Sequence, residues 1–283
     1  MQTNNGRPGI DREGLAEFLR HRRAALQPED VGLPRGRRRR TSGLRREEVA
    51  VLCHMSTDYF ARLERGEGPR PSGQMIASIA QGLHLTLDER DHLFRLAGLE
   101  PPGRGPHSEH VSPGMLRIFD QLVDTPAEIA TELGETLRQS PLAVALTGDA
   151  GSYTGPMRSR GYRWFVDPGE RSHYPPQDHA FLSRMYVSGL RGVLGARGPG
   201  SRADRLAGLL LETSAEFRDL WREQEIGVRP DEVKRFSHPR VGVLEVNCQV
   251  LLDPFQAHHL MVYTATPGSE SYRKLRLLAV VGS

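Results

Sequence analysis

Residues 98–113, GLEPPGRGPHSEHVSP, hold four prolines and three glycines with little apolar content, so no regular helix or core strand is expected to run through them. At 283 residues the chain also exceeds one ordinary domain. The break is therefore expected to separate two cores, residues 1–97 and 113–283, with 98–112 as a linker. An apolar fraction of 37% with 26% charged residues suits folded domains and argues against disorder throughout. No run approaches the ~20 apolar residues of a membrane span, and Met1 to Arg12 lacks the apolar core of a signal peptide. These features predict a cytoplasmic protein without membrane contact. Cys53 and Cys248 lie far apart in apolar runs, as reduced buried thiols do.

Before the break, apolar spacing predicts five helices. Leu15, Phe18, Leu19 and Leu26 fall mostly on one helical face, and Pro28 stops that helix. A second helix starts near Arg45, with Leu44 and Val49 placed as a hydrophobic staple and Glu48 able to reach back to free amides. Cys53-His54-Met55 makes a turn, and Ser56 caps a third helix that Gly66 ends. Met75, Ile76, Ile79, Ala80 and Leu83 define a fourth helix, and Leu87 to Ala97 a fifth.

The charge pattern gives this half a partner. The whole formal excess of +3 falls in residues 1–100, which contain arginine and no lysine. Arg35, Arg37, Arg38, Arg39, Arg40, Arg45 and Arg46 stand within twelve residues with no acid among them. A stripe of this kind neutralises phosphates. In LRREEVAVLCHMSTDYFARLERGEGPRPS, the positions Leu44, Glu47, Glu48, Val49, Ala50, Ser56, Arg62, Leu63, Glu64, Gly66, Pro71 and Ser72 carry a close resemblance to the helix-turn-helix of lambda-repressor-like (XRE-family) regulators. Ala50 is small enough for the two helices to cross closely, and the opposite face of the third helix is left for the DNA major groove.

The resemblance implies that Thr57, Asp58 and Arg62 meet base edges of a double-stranded DNA operator and that Arg46 meets a phosphate. Arg37, Arg38, Arg39, Arg40 and Arg45 are expected to add backbone contacts. Arg65 either joins them or faces solvent. Tyr59 either reaches a phosphate through its hydroxyl or packs its ring on the helix below. One short recognition helix reads few base pairs, so a homodimer on two half-sites is expected.

Beyond the break the pattern changes to α+β. Glu128 to Leu133 reads as a short strand; Leu137 to Leu146, Ala180 to Leu194, Arg202 to Leu211 and Ala215 to Glu225 read as amphipathic helices. Val241, Val243, Val246 and Val250 precede a turn at Pro254 and a second run, His259 to Thr264, which together predict a hairpin; Ser269 to Ala279 closes as a helix. The segments FLRHRRAALQPEDVGLP, GRRRRTSGLRREEVA, PPG, VDP, SAEFRDLW, HPRVGVLEV and TATPGSESYRKLRLLA are similar to those of actinobacterial regulators with a C-terminal MmyB-like ligand-binding domain. That resemblance covers nearly the full length. It implies a PAS-like fold, a sheet covered by helices, holding a small apolar or fatty-acid-like ligand.

Trp164, Phe165, Tyr186, Phe217 and Trp221 are candidates to line such a pocket, or else ordinary core. Arg160 and Arg163 are candidates to hold a ligand carboxylate, or else surface residues. Many family members carry Trp-Asn where this chain has Arg138-Gln139. No G-x-S-x-G, P-loop or H-E-x-x-H occurs, and Gly148 to Gly155 lacks dinucleotide-loop spacing. His107 and His110 fall in the expected linker, and His258 and His259 would face opposite sides of a strand. The expectation is a regulator with no cofactor, no metal and no enzymatic activity, controlled by a ligand; the alternative is a constitutive DNA-binding protein whose second domain only dimerises.

Overall fold

The computed structural model describes residues 9–34, 43–103, 108–228, 233–253 and 255–281. The chain divides into two compact units, Met1–Gln121 and Leu122–Ser283.

The first unit is helical. Helix α1 (Arg12–Ala25) is capped by Asp11, whose carboxylate accepts from the Gly14 amide, and a 3-10 turn over Pro28–Val31 follows it. Helices α2 (Arg46–Leu52), α3 (Thr57–Glu64), α4 (Gly73–Gly82) and α5 (Leu87–Leu96) come next. Each start has a physical cause. The Glu48 carboxylate accepts from the Arg45 amide, Ser56 and Ser72 accept from the amides three residues on, and Thr86 and Glu89 form a reciprocal capping box. Leu15, Leu19, Val49, Phe60, Leu63, Ile76, Ile79 and Leu93 form one core. Gly82 lets α4 approach α2: an added Cβ would stand 2.6 Å from the Cys53 sulfur and 3.0 Å from the Leu52 carbonyl oxygen.

The expected linker differs from what folds. Within 98–112, Ser108 accepts from Arg90, His110 bonds the Leu85 carbonyl through Nε2 at 2.5 Å, and Val111 exchanges hydrogen bonds with the Gln81 side chain. Helix α6 (Pro113–Asp120) then ends this unit. Proline and glycine excluded regular structure here, but side chains of α4 and α5 satisfy the irregular backbone instead.

The second unit is α+β. Strands β1 (Ala127–Ala130) and β2 (Thr136–Gln139) are followed by α7 (Pro141–Thr147), α8 (Arg160–Val166) and α9 (Pro168–Arg171). Helices α10 (His179–Arg197), α11 (Arg202–Thr213) and α12 (Ala215–Arg222) lead to β3 (Val233–His238), β4 (Gly242–Asp253), β5 (His258–Thr264) and α13 (Glu270–Val281). The strands form one five-stranded antiparallel sheet in the order β2-β1-β5-β4-β3. Phe236, Leu244, Val246 and Tyr263 on the sheet pack with Leu142 and Leu146 of α7, Trp164 of α8, Leu182 of α10 and Leu275 and Leu278 of α13.

Two expectations in this half need correction. Leu137 to Leu146 is not one helix: Leu137 lies within β2, whose Thr136, Arg138 and Gln139 pair with β1, and Ser140 caps a new helix that starts at Pro141. Strand β3 was not foreseen, because of its six residues only Phe236 is fully buried and Lys234 and Arg235 interrupt any apolar alternation. The β4–β5 hairpin and α13 fold where the β-branched run and the terminal apolar spacing predict them.

Candidate nucleic-acid interface and ligand cavity

Helix α3 is two-faced. Phe60, Leu63 and Glu64 point inward and are buried, while Thr57, Asp58, Arg62 and Arg65 are exposed along the other side. Spacings of three and four bring Thr57 or Asp58 near Arg62, and Arg62 near Arg65. The helix ends in a Schellman arrangement: Gly66 donates to the Leu63 carbonyl, Glu67 to the Arg62 carbonyl, and Gly66 adopts φ +71°. The turn before α3 is tight, with His54 at φ +51° and Met55 donating to the Ala50 carbonyl.

The buried Glu64 carboxylate fixes α3 from beneath. Its Oε1 accepts from Arg23 Nε at 2.6 Å, and its Oε2 from Arg23 Nη2 at 3.3 Å and Arg46 Nε at 2.6 Å. Arg20 donates to the Glu64 carbonyl at 2.5 Å. One carboxylate thus joins α1, the start of α2 and the end of α3. Sequence reasoning saw Glu64 only as a position shared with a family; its partners Arg23 and Arg46 are distant in the chain.

Arg46 is half exposed at the first position of α2, and Arg45 stands beside it. Arg65 is half exposed with its Nε on Glu67 at 2.8 Å. The Tyr59 ring packs on the core of this unit and burial raises its phenol pKa. Arg35, Arg37, Arg38, Arg39 and Arg40 lie outside the described residues, as does His107.

In the second unit a cavity of about 230 Å³ lies between β1, β5 and helices α8, α10, α11 and α12. Phe165, Met185, Leu190, Leu206, Leu210 and Phe217 give its apolar wall. Of the sequence candidates, Phe165, Tyr186 and Phe217 line it. The others are placed elsewhere. Trp164 is fully buried in the sheet-facing core, its indole donating to Ser183 Oγ at 2.8 Å. Trp221 stacks on Phe217 with Arg191 4.0 Å over its ring.

Arg160 and Arg163 are buried, yet neither is among the lining residues. Arg160 pairs with Glu128 at 2.9 Å and Glu170 at 3.3 Å, while Arg163 pairs with Glu170 at 2.7 Å and donates to the Met157 carbonyl. Two cations and two carboxylates balance there; burial is the largest single effect on Arg160 and lowers its pKa, but the combined attraction of Glu128, Tyr174, Glu170 and Tyr263 outweighs it and pushes the pKa up. Arg138 and Gln139 sit on β2; the Gln139 amide holds the Gly148 carbonyl and the Ala150 amide rather than facing the cavity.

The polar part of the cavity wall was not foreseen. It includes Thr131, Glu132, Ser159 and His259. Glu132 takes a forked pair of hydrogen bonds from Arg197, and Ser159 donates to the Leu133 carbonyl. His259 and Met261, two apart on β5, face the same space. A larger depression of about 570 Å³ is lined in good part by polar or charged residues such as Asp124, Asn247, Thr264, Thr266 and Arg276.

Among the described residues no group of three or more His, Cys, Asp or Glu could hold a metal ion, and no helix is long and apolar enough to cross a membrane. A helix-turn-helix with an exposed polar recognition helix, joined to a sheet-and-helix domain with an apolar cavity, defines a DNA-binding transcription regulator with a ligand-binding domain. Residues 14–93 match a helix-turn-helix domain family, and residues 111–278 match the MmyB-like transcription regulator ligand binding domain. The chain belongs to this MmyB-like family. No curated protein matches it.

Proposed function

We propose that the protein reads an operator with α3 and that a small apolar ligand in the second unit sets its affinity for that operator. Thr57, Asp58 and Arg62 take the base edges, Arg62 through a guanine and Asp58 by accepting from a cytosine amino group. Arg45, Arg46, Arg65 and the arginines Arg37, Arg38, Arg39 and Arg40 neutralise phosphates, and Tyr59 contributes its hydroxyl at the edge of the same face. Two copies bind two half-sites. Phe165, Tyr186 and Phe217 contact the ligand.

The observation that carries this reading is the exposed side of α3, polar at Thr57, Asp58 and Arg62 while its opposite side is core. Selecting operator duplexes from a random pool with the purified full chain, then measuring affinity before and after extraction of bound small molecules, tests it. A change of operator affinity on extraction, reversed by returning the extract, is the expected result. No enrichment of any sequence overturns the reading of bases. Enrichment without any ligand effect, with loss of binding when the second unit is deleted, favours a constitutive regulator whose second unit only dimerises.

A further inference from the structure

The cavity has enough character to narrow what it takes, given that it is the ligand site. Its size sets the first limit. An apolar cavity of about 150 Å³ holds one benzene, six carbon atoms. On that scale about 230 Å³ holds roughly nine non-hydrogen atoms, well short of a sixteen-carbon chain.

Charge sets the second limit. No arginine or lysine is among the described lining residues; Arg191, beside the lining Leu190, is held by Gln224 and the Trp221 carbonyl. Arg160 and Arg163 belong to Glu128 and Glu170, and Arg197 gives three hydrogen bonds, at 2.9, 3.2 and 2.7 Å, to Glu132. A ligand carboxylate entering this wall would lose its hydration and meet Glu132 without a cation of its own, which is costly in an apolar site. Glu132, which raises the His259 pKa, and His258, which lowers it, are the charged neighbours of that ring; burial is the largest effect and holds it down, so the ring is neutral near pH 7.

Hydrogen bonding sets the third. Thr131 and Ser159 are engaged with Glu135 and the Leu133 carbonyl. The His259 ring, by contrast, has no hydrogen-bond partner among the described residues. A neutral imidazole offers one donor and one acceptor, and the cavity brings that ring to the ligand.

We propose that the cavity binds an uncharged apolar molecule of roughly nine non-hydrogen atoms bearing a hydroxyl or carbonyl that pairs with His259, and that it discriminates against carboxylates. This rests on the cavity being the ligand site. Calorimetric titration of the full chain at pH 7.5 with 1-octanol, 2-octanone, octanoate, palmitate and toluene tests it. Saturable binding of 1-octanol or 2-octanone is expected, with octanoate at least tenfold weaker and palmitate not bound. In His259→Leu the affinity of 1-octanol relative to toluene should fall by about three- to tenfold, the worth of one hydrogen bond. Octanoate or palmitate binding as tightly as 1-octanol, or an unchanged octanol-to-toluene ratio in the variant, overturns the proposed selectivity while leaving the cavity as a ligand site. Binding of none of the five overturns both.

Discussion

Replacing Glu64 by glutamine tests how the recognition helix is held. The substitution keeps shape but removes the charge that Arg23 and Arg46 share, and turns an NH₂ toward one of the guanidinium groups. Breaking a buried ion pair from one side costs about 3–5 kcal/mol. The Glu64 side chain is 0% exposed, but Arg23 is 15% and Arg46 47% exposed, so water recovers part of the loss. A cost of about 2–3 kcal/mol follows. For a unit of this size each kcal/mol lowers the melting temperature by about 4 °C or more, so a fall of at least 8 °C or so is expected in the transition of the helical unit. Scanning calorimetry of the full chain measures it. The double variant Arg23→Met with Glu64→Leu removes charge from both sides and should recover more than half of the loss. A fall below about 2 °C in Glu64→Gln, or no recovery in the double variant, would refute the clamp.

Other outcomes follow from the second unit. Gly189 on α10 lines the cavity, and an added Cβ there meets nothing within 4 Å; Gly189→Leu should fold normally and abolish 1-octanol binding by calorimetry, whereas unaltered binding would place the ligand elsewhere. Glu170→Gln leaves Arg163 and Arg160 with too little negative charge and should destabilise the second unit by about 3 kcal/mol in urea unfolding. An effect below about 1 kcal/mol would mean the network is solvated. Burial lowers the pKa of both His259 and His238. The unfolded chain, with histidine pKa near ~6.5, therefore takes up protons first, and stability falls as the pH drops below that value. Melting temperatures at pH 7.5 and 5.5 should differ less in His259→Leu than in the parent; an equal difference would remove His259 from the account.

Much of the first unit was legible because its signals are local: apolar residues three and four apart, Ser56 and Ser72 as caps, and Gly66 where the chain reverses. What decides the role of Arg160 and Arg163 is not local. The pattern R-x-x-R shows two cations, but Glu170 of α9 bridges both, and Glu128 on β1 reaches Arg160, only in the folded domain. The same holds for Glu64, whose partners come from two other helices. The stretch 98–112 misled through composition, since its prolines and glycines said what it could not form but not that Gln81, Leu85 and Arg90 would bind it. The polar cavity wall was hidden because His259 and Met261 lie on β5 while Glu132 follows β1, and only strand pairing puts them together. By contrast, Phe165, Tyr186 and Phe217 were found because large aromatic side chains concentrate at apolar walls of either kind, core or cavity. The same criterion selected Trp164 and Trp221, which belong to the packing around it.

Sequence reading by α3 is tested by the affinity of parent and Arg62→Ala proteins for a selected operator and for a scrambled duplex at several salt concentrations. If Arg62 reads a base, the variant loses about 1–3 kcal/mol on the operator and much less on the scrambled duplex. Equal loss on both, with the salt slope reduced by nearly one, would make Arg62 a phosphate contact and contradict the account.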